Sequence, residues 1–155
     1  MLSDSSPKES SGQLAPEQWL LLALAFAPDG RFSPIQAQKT MFLLSMEAKD
    51  YVGSGFYKFK PYLYGPYSHQ LASDLEKMRR EGKVIADGSP FSRVSYVLAP
   101  QGAEEAKGLR ASADPKVLEF LHRTVGWVKS QTFSGLLASI YKKYPFYATQ
   151  SIFKR

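Results

Sequence analysis

The 155-residue chain contains no cysteine. That excludes disulfide staples, thiolate zinc sites and thiol nucleophiles, and it fits a reduced, cytoplasmic setting. Histidine is nearly as scarce, with only His69 and His122, and neither stands at metal-ligand spacing from a second donor. No long hydrophobic run occurs: the longest, Trp19 to Ala27, is far too short to span a bilayer, so no membrane partner is expected. The glycine spacing of a dinucleotide fingerprint and the phosphate-cradling Walker loop are both missing. Glu104 and Glu105 are adjacent, so on a helix they point to different sides and do not pair as acid and base. No catalytic residue, metal or cofactor is expected, and the chain does not read as an enzyme.

Acidic residues are outnumbered, 14 against 20 basic, giving a net charge of +6 and a pI near 9.5. A surplus of this kind favours polyanionic partners, nucleic acid first among them, although it also serves simply to keep a surface soluble. The excess is uneven. From Lys116 to Arg155 the bases are Lys116, Arg123, Lys129, Lys142, Lys143, Lys154 and Arg155, against Glu119 alone. Hydrophobic residues make up 44% of the chain, enough for a single core. The polar, serine-rich start predicts a disordered leader over residues 1–13, ahead of one domain over 14–155.

Local signals place the elements. A first helix begins at Pro16 and stops at the Pro28-Asp29-Gly30 turn. A second begins after Ser33 and Pro34, and its apolar residues spread around the circumference, so it is expected to be buried on more than one side. Residues 51–68 are aromatic and broken by glycine and proline, with a short strand expected over Phe56 to Lys60 and ordered loop elsewhere. A third helix is capped by Ser68 and ends near Gly82. The runs Lys83 to Ala86 and Arg93 to Pro100 then read as a β-hairpin around Asp87 to Pro90. Ala99 to Ala111 predicts a short helix or irregular connection. Asp114 and Pro115 open a helix that runs to about Ser130, the start of a C-terminal helical extension. A last helix from Ser134 ends at Pro145.

The expected fold is therefore mostly α with a small β-hairpin (α+β). Three helices followed by a hairpin make a winged helix-turn-helix-like core, with extra C-terminal helices. On the third helix Leu71, Leu75 and Met78 share the core side, and His69, Gln70, Ser73, Lys77 and Arg80 face outward. That stripe has the donors to contact a groove of double-stranded DNA, with Lys83 and Arg93 on backbone phosphates and Ser89 and Ser92 in the wing loop. Asp74 and Glu76 lie nearby and oppose phosphate, so a merely solvated face is the competing reading. Phe56, Tyr57, Phe59, Tyr62, Tyr64 and Tyr67, interleaved with Lys58 and Lys60, suit either a base-stacking platform or, more often, a seat that fixes the third helix. Phe120 and Trp127 form a second apolar side on the 115–130 helix, a candidate surface for a homodimer or another protein partner.

The stretch from Phe59 to Val84, with Tyr64-Gly65-Pro66 leading into a leucine-bearing helix and a short strand, resembles the phage-associated antitoxin family known as SocA-like or Panacea, and related uncharacterised bacterial proteins. Ile35 to Leu44 is similar to the early helix of that group, and Leu136 to Phe153 to the C-terminal segment of some members. Leu75 to Gly102 is also similar to the recognition helix and wing of winged-helix regulators. The resemblance implies a structural role for Tyr64, Gly65, Pro66 and Ser68 in opening the third helix. It further implies a DNA-binding regulator or autoregulating antitoxin, or alternatively an antitoxin or proteolytic adaptor that binds a toxin or other protein. It implies no catalytic residue.

Overall fold

The computed structural model describes residues 14–88 and 94–153. The expected leader, the wing-loop residues Ser89, Ser92 and Arg93, and the last two residues lie outside the described residues.

Helix α1 (Pro16–Phe26) has proline in its first turn, and Ala15 donates its backbone N–H to the Gln18 side chain at 2.7 Å. Trp19 to Leu24 are buried without a break, so α1 is an interior helix rather than an amphipathic one. A two-residue strand β1 (Arg31–Phe32) precedes α2 (Pro34–Glu47). Ser33 and Gln36 form a reciprocal cap at the start of α2: the Gln36 N–H reaches Ser33 Oγ at 3.1 Å, and the Ser33 N–H reaches Gln36 Oε1 at 2.9 Å. Ala37 to Leu44 are all buried, as expected of a helix apolar around its circumference. A single turn α3 (Lys49–Val52) follows.

The aromatic segment departs from expectation. No strand covers Phe56 to Tyr57; instead β2 (Lys60–Tyr62) and β3 (Gly65–Tyr67) pair as a tight antiparallel hairpin. Pro61 and Pro66 face each other across it. Gly65 adopts φ +91°, and a side chain there would also meet the Tyr141 ring, so the turn requires glycine.

Helix α4 (His69–Arg80) is capped by Ser68, whose Oγ accepts the Leu71 N–H at 3.1 Å. Strands β4 (Val84–Asp87) and β5 (Ser95–Leu98) then form the anticipated hairpin, with Val84 opposite Leu98. The sheet has a third member: β1 joins β5, Phe32 facing Tyr96, in the order β1-β5-β4. Residues 100–112 are a full helix, α5 (Pro100–Ser112), not an irregular connection. Next come α6 (Pro115–Ser130), capped by Asp114, and α7 (Phe133–Lys143), capped by Thr132 rather than starting at Ser134. A 3-10 turn over Pro145–Ala148 leads into the tail.

The fold is thus α+β and mostly helical, with small antiparallel sheets. Two apolar clusters meet along α2. One gathers α1, Met41, Leu71, Leu75, Met78, Leu121 and Val125. The other gathers Phe42, Leu43, Val128 and the α7 residues Leu136, Leu137, Ile140 and Tyr141. Among the described residues no helix is long and apolar enough to cross a membrane.

Candidate functional site

Leu71, Leu75 and Met78 of α4 are buried, so the helix presents the face that its spacing predicts. His69, Gln70, Ser73, Lys77 and Arg80 are all exposed and follow one another along the outer side, with the β4–β5 hairpin directly after the helix. What the spacing does not disclose is how far these groups are already engaged.

Asp74 is buried at 6% exposure. The Tyr57 hydroxyl donates to Asp74 Oδ2 at 2.6 Å, and Gln70 Nε2 donates to Oδ1 at 2.8 Å. Burial, then the bond to this carboxylate, holds the Tyr57 phenol far above its ordinary titration range. The acid expected to oppose phosphate is therefore an internal strut tying the aromatic segment to α4, and it occupies Gln70. Glu76 accepts from Tyr96 at 2.8 Å and from Arg79 at 3.0 Å, and these bonds, Tyr96 first, hold its carboxyl below the usual range.

The cations are similarly committed. Lys77 pairs with Glu17 of α1 at 3.1 Å. Lys83 is half-buried between Glu105 of α5 at 3.1 Å and Glu81 at 3.4 Å; burial pulls its amine down, and the two carboxylates outweigh that and raise it. Arg31 pairs with Asp87 at the outer end of the sheet, at 2.7 Å. His69 packs edge-on to Tyr67 and Tyr62 with centroids 4.9 and 5.8 Å away. Among the described residues Ser73 and Arg80 remain exposed with no hydrogen bond or ion pair. Arg93 lies outside the described residues.

The start of α4 is anchored to α2 by two side chains that the sequence does not single out. Gln38 Nε2 donates to the Ser68 carbonyl at 2.9 Å, and Gln38 Oε1 accepts the Ser68 N–H at 2.8 Å. Lys39, 2% exposed, donates from Nζ to the Pro66 carbonyl at 2.9 Å. Among the described residues no carboxylate pairs with it, and burial lowers its amine to about 7. The Tyr64-Gly65-Pro66-Ser68 element thus positions α4 through backbone groups held by α2.

The aromatic segment divides. Phe56 and Tyr57 are buried and Phe59 and Tyr67 half-buried, which makes them a seat for α4, while Tyr62 and Tyr64 are exposed. Phe120 and Trp127 also differ: Phe120 packs partly onto the larger cluster, and Trp127 is 38% exposed. Together they line a cleft of about 290 Å3 between α2, α6 and α7, with Leu43 and Ile140 in its wall and Arg123 and Lys143 beside them.

A second exposed apolar group escapes the helical-spacing reading. Leu63 at the tip of the β2–β3 hairpin, Phe146 in the 3-10 turn and Ile152 in the tail are 43%, 64% and 57% exposed. The available sequence signal is negative: residues 53–73 and 120–155 contain neither aspartate nor glutamate. Among the described residues no group of three or more histidines or carboxylates is placed to hold a metal ion. No protein-family model matches the chain, and no curated protein matches it.

Proposed function

We propose that this chain is a protein-interaction module, an antitoxin- or adaptor-like binder of a partner protein, carried on a winged-helix scaffold. The scaffold reading draws on element order. Between α1 and α2 a short strand joins the second strand of the hairpin that follows α4, so the sheet runs β1-β5-β4 beside three helices. One observation carries the functional reading: three cations on and beside the α4 face, Lys77, Arg79 and Lys83, are matched by carboxylates of the same chain. Glu17 holds Lys77, Glu76 holds Arg79, and Glu81 with Glu105 holds Lys83. A surface built for DNA gains its affinity by releasing counterions with unpaired cations. Here contacts through Lys77, Arg79 or Lys83 first require breaking an internal pair, and Arg80 is left to act without them. Exposed apolar side chains lie instead around Trp127 and the hairpin tip, and Lys60 and Lys142, away from the α4 face, form no ion pair among the described residues.

The second reading is binding of double-stranded DNA through α4, as a transcription regulator or autoregulating antitoxin. It is favoured by Ser73 and Arg80, which face outward without partners directly ahead of a two-stranded ribbon.

Titration of a labelled duplex separates the two. The wild type and a Lys77→Ala/Arg80→Ala variant are compared between about 50 and 200 mM salt. The interaction-module reading expects weak, indistinguishable binding by both proteins. Binding by the wild type that falls by about 0.9 log units per phosphate contact per log unit of salt, and is lost in the variant, discards it in favour of DNA.

A further inference from the structure

Among the described residues one exposed apolar surface is composite. Tyr62, Leu63 and Tyr64 form the tip of the β2–β3 hairpin, each between 39% and 43% exposed. The tail is fastened to it, since the Ile152 N–H donates to the Leu63 carbonyl at 3.0 Å. Tyr64 meets the Phe133 ring edge-on at 5.5 Å, and Phe133 meets Phe153 at 5.6 Å, so hairpin, α7 and tail are continuous. Ile152 and, in the adjoining 3-10 turn, Phe146 project more than half their surface to solvent. A protein normally covers aliphatic and aromatic groups gathered in this way, and their exposure marks a contact surface.

Lysines dominate the charge of the segments that build this surface, with Asp50 sharing one cleft with Lys58 and Tyr147. The surface is built from within residues 53–73 and 120–153, which have no acidic side chain. They contribute Lys58 and Lys60 from one side and Lys142 and Lys143 from the other. Lys60 and Lys142 are exposed with no hydrogen bond or ion pair among the described residues. Glu47 of α2 reaches this region, but it is held by Lys143 at 2.8 Å and by Tyr144 at 2.6 Å. An apolar centre with a polar, charged rim is the anatomy of a protein–protein interface, and the sign of the rim selects the partner's charge.

We propose that the hairpin tip and the C-terminal tail together dock a partner segment in which apolar side chains are flanked by aspartate or glutamate. This rests on the interaction-module reading and deepens it by naming the partner's chemistry. Nucleic acid is the weaker occupant. Leu63 and Ile152 have no ring face on which a base could stack, and Tyr62 is already tilted against Tyr67 with centroids 4.9 Å apart. The apolar residues supply the anchor and hold the complex together, while the lysines speed and orient the encounter.

The test is selection from a random peptide library on the full chain, followed by titration of the recovered peptides. Peptides rich in aspartate or glutamate beside leucine, phenylalanine or tryptophan are expected. Leu63→Ser and Ile152→Ser, both at exposed positions, should weaken them by about tenfold or more. Lys60→Glu should weaken them and flatten their salt dependence. Several results overturn the proposal: no enrichment, enrichment of basic peptides, acidic peptides whose binding survives all three substitutions, or displacement by oligothymidylate. Concentration-dependent dimerisation abolished by Leu63→Ser would also overturn it, assigning the surface to a second copy. These failures leave the duplex titration untouched, so the surface assignment and the interaction-module reading can fall separately.

Discussion

Lys39 brings an amine into the interior with one carbonyl as its hydrogen-bond acceptor and no counter-charge. The unfolded chain keeps that proton up to its ordinary value of 10.5, while the folded chain releases it near 7. Between these limits the unfolded state binds more protons, so stability rises with pH across the window; below about pH 7 both states are protonated and the full penalty applies. The difference is on the order of 5 kcal/mol, spread over that window. Tyr96 and Tyr144 act oppositely at the alkaline end, because burial and then their carboxylate partners raise both phenols above 10. The clean range is therefore about pH 7 to 9. Lys39→Met is expected to be more stable than the wild type near pH 6 and to lose that advantage by about pH 9, where the freed Pro66 carbonyl costs about 1 to 3 kcal/mol. Urea unfolding at several pH values reads this directly. Parallel pH profiles for the two proteins would show that Lys39 does not titrate inside the fold.

At the scale of elements, α5 depends on a backbone approach that only glycine permits. A side chain at Gly102 would strike the Lys83 carbonyl and press on Leu98. Gly102→Ala is therefore expected to destabilise the protein by about 2 kcal/mol or more, whereas Gly108→Ala, on the same helix with open space around it, should stabilise it by roughly 0.5 to 1 kcal/mol. Chemical denaturation of both variants checks the contrast.

The same helices show what a single sequence discloses. Ser33, Ser68 and Asp114 announce their helices because capping is a contact between near neighbours. The β4–β5 ribbon is visible in the alternation of Val94, Tyr96 and Leu98. The β2–β3 hairpin is hidden because its strands are three residues long and prolines 61 and 66 remove the donors that a strand pattern leads one to expect. Strand β1 is hidden because two residues carry no period, and its existence depends wholly on β5. On α4 the outward face is legible from spacing, but its electrostatic state is not. Glu17 lies 60 positions from Lys77, and Glu105 lies 22 from Lys83. The burial of Asp74, which reads from sequence as an opponent of phosphate beside the outward face, is hidden for the same reason: its partner Tyr57 is distant in the chain.

Over the whole molecule, α2 joins the two apolar clusters, with Met41 in one and Phe42 in the other. The two tryptophans sample these halves separately: Trp19 lies inside the first, and Trp127 lines the cleft beside Ile140 of the second. If α2 makes one cooperative unit of them, Leu137→Ala, a truncation in the second cluster, lowers the midpoint seen by both. Unfolding of Trp19→Phe and Trp127→Phe backgrounds should report one loss of about 2 to 5 kcal/mol. Separate midpoints would divide the chain into two units.

The Gln38 amide grips both backbone groups of Ser68 from 30 positions upstream. The first turn of α4 therefore cannot swivel by itself. A load applied to the neighbouring hairpin passes through that amide, and through Lys39 on the Pro66 carbonyl, into α2, whose residues Ala37 to Leu44 are all buried, so the loop is mechanically geared to the interior.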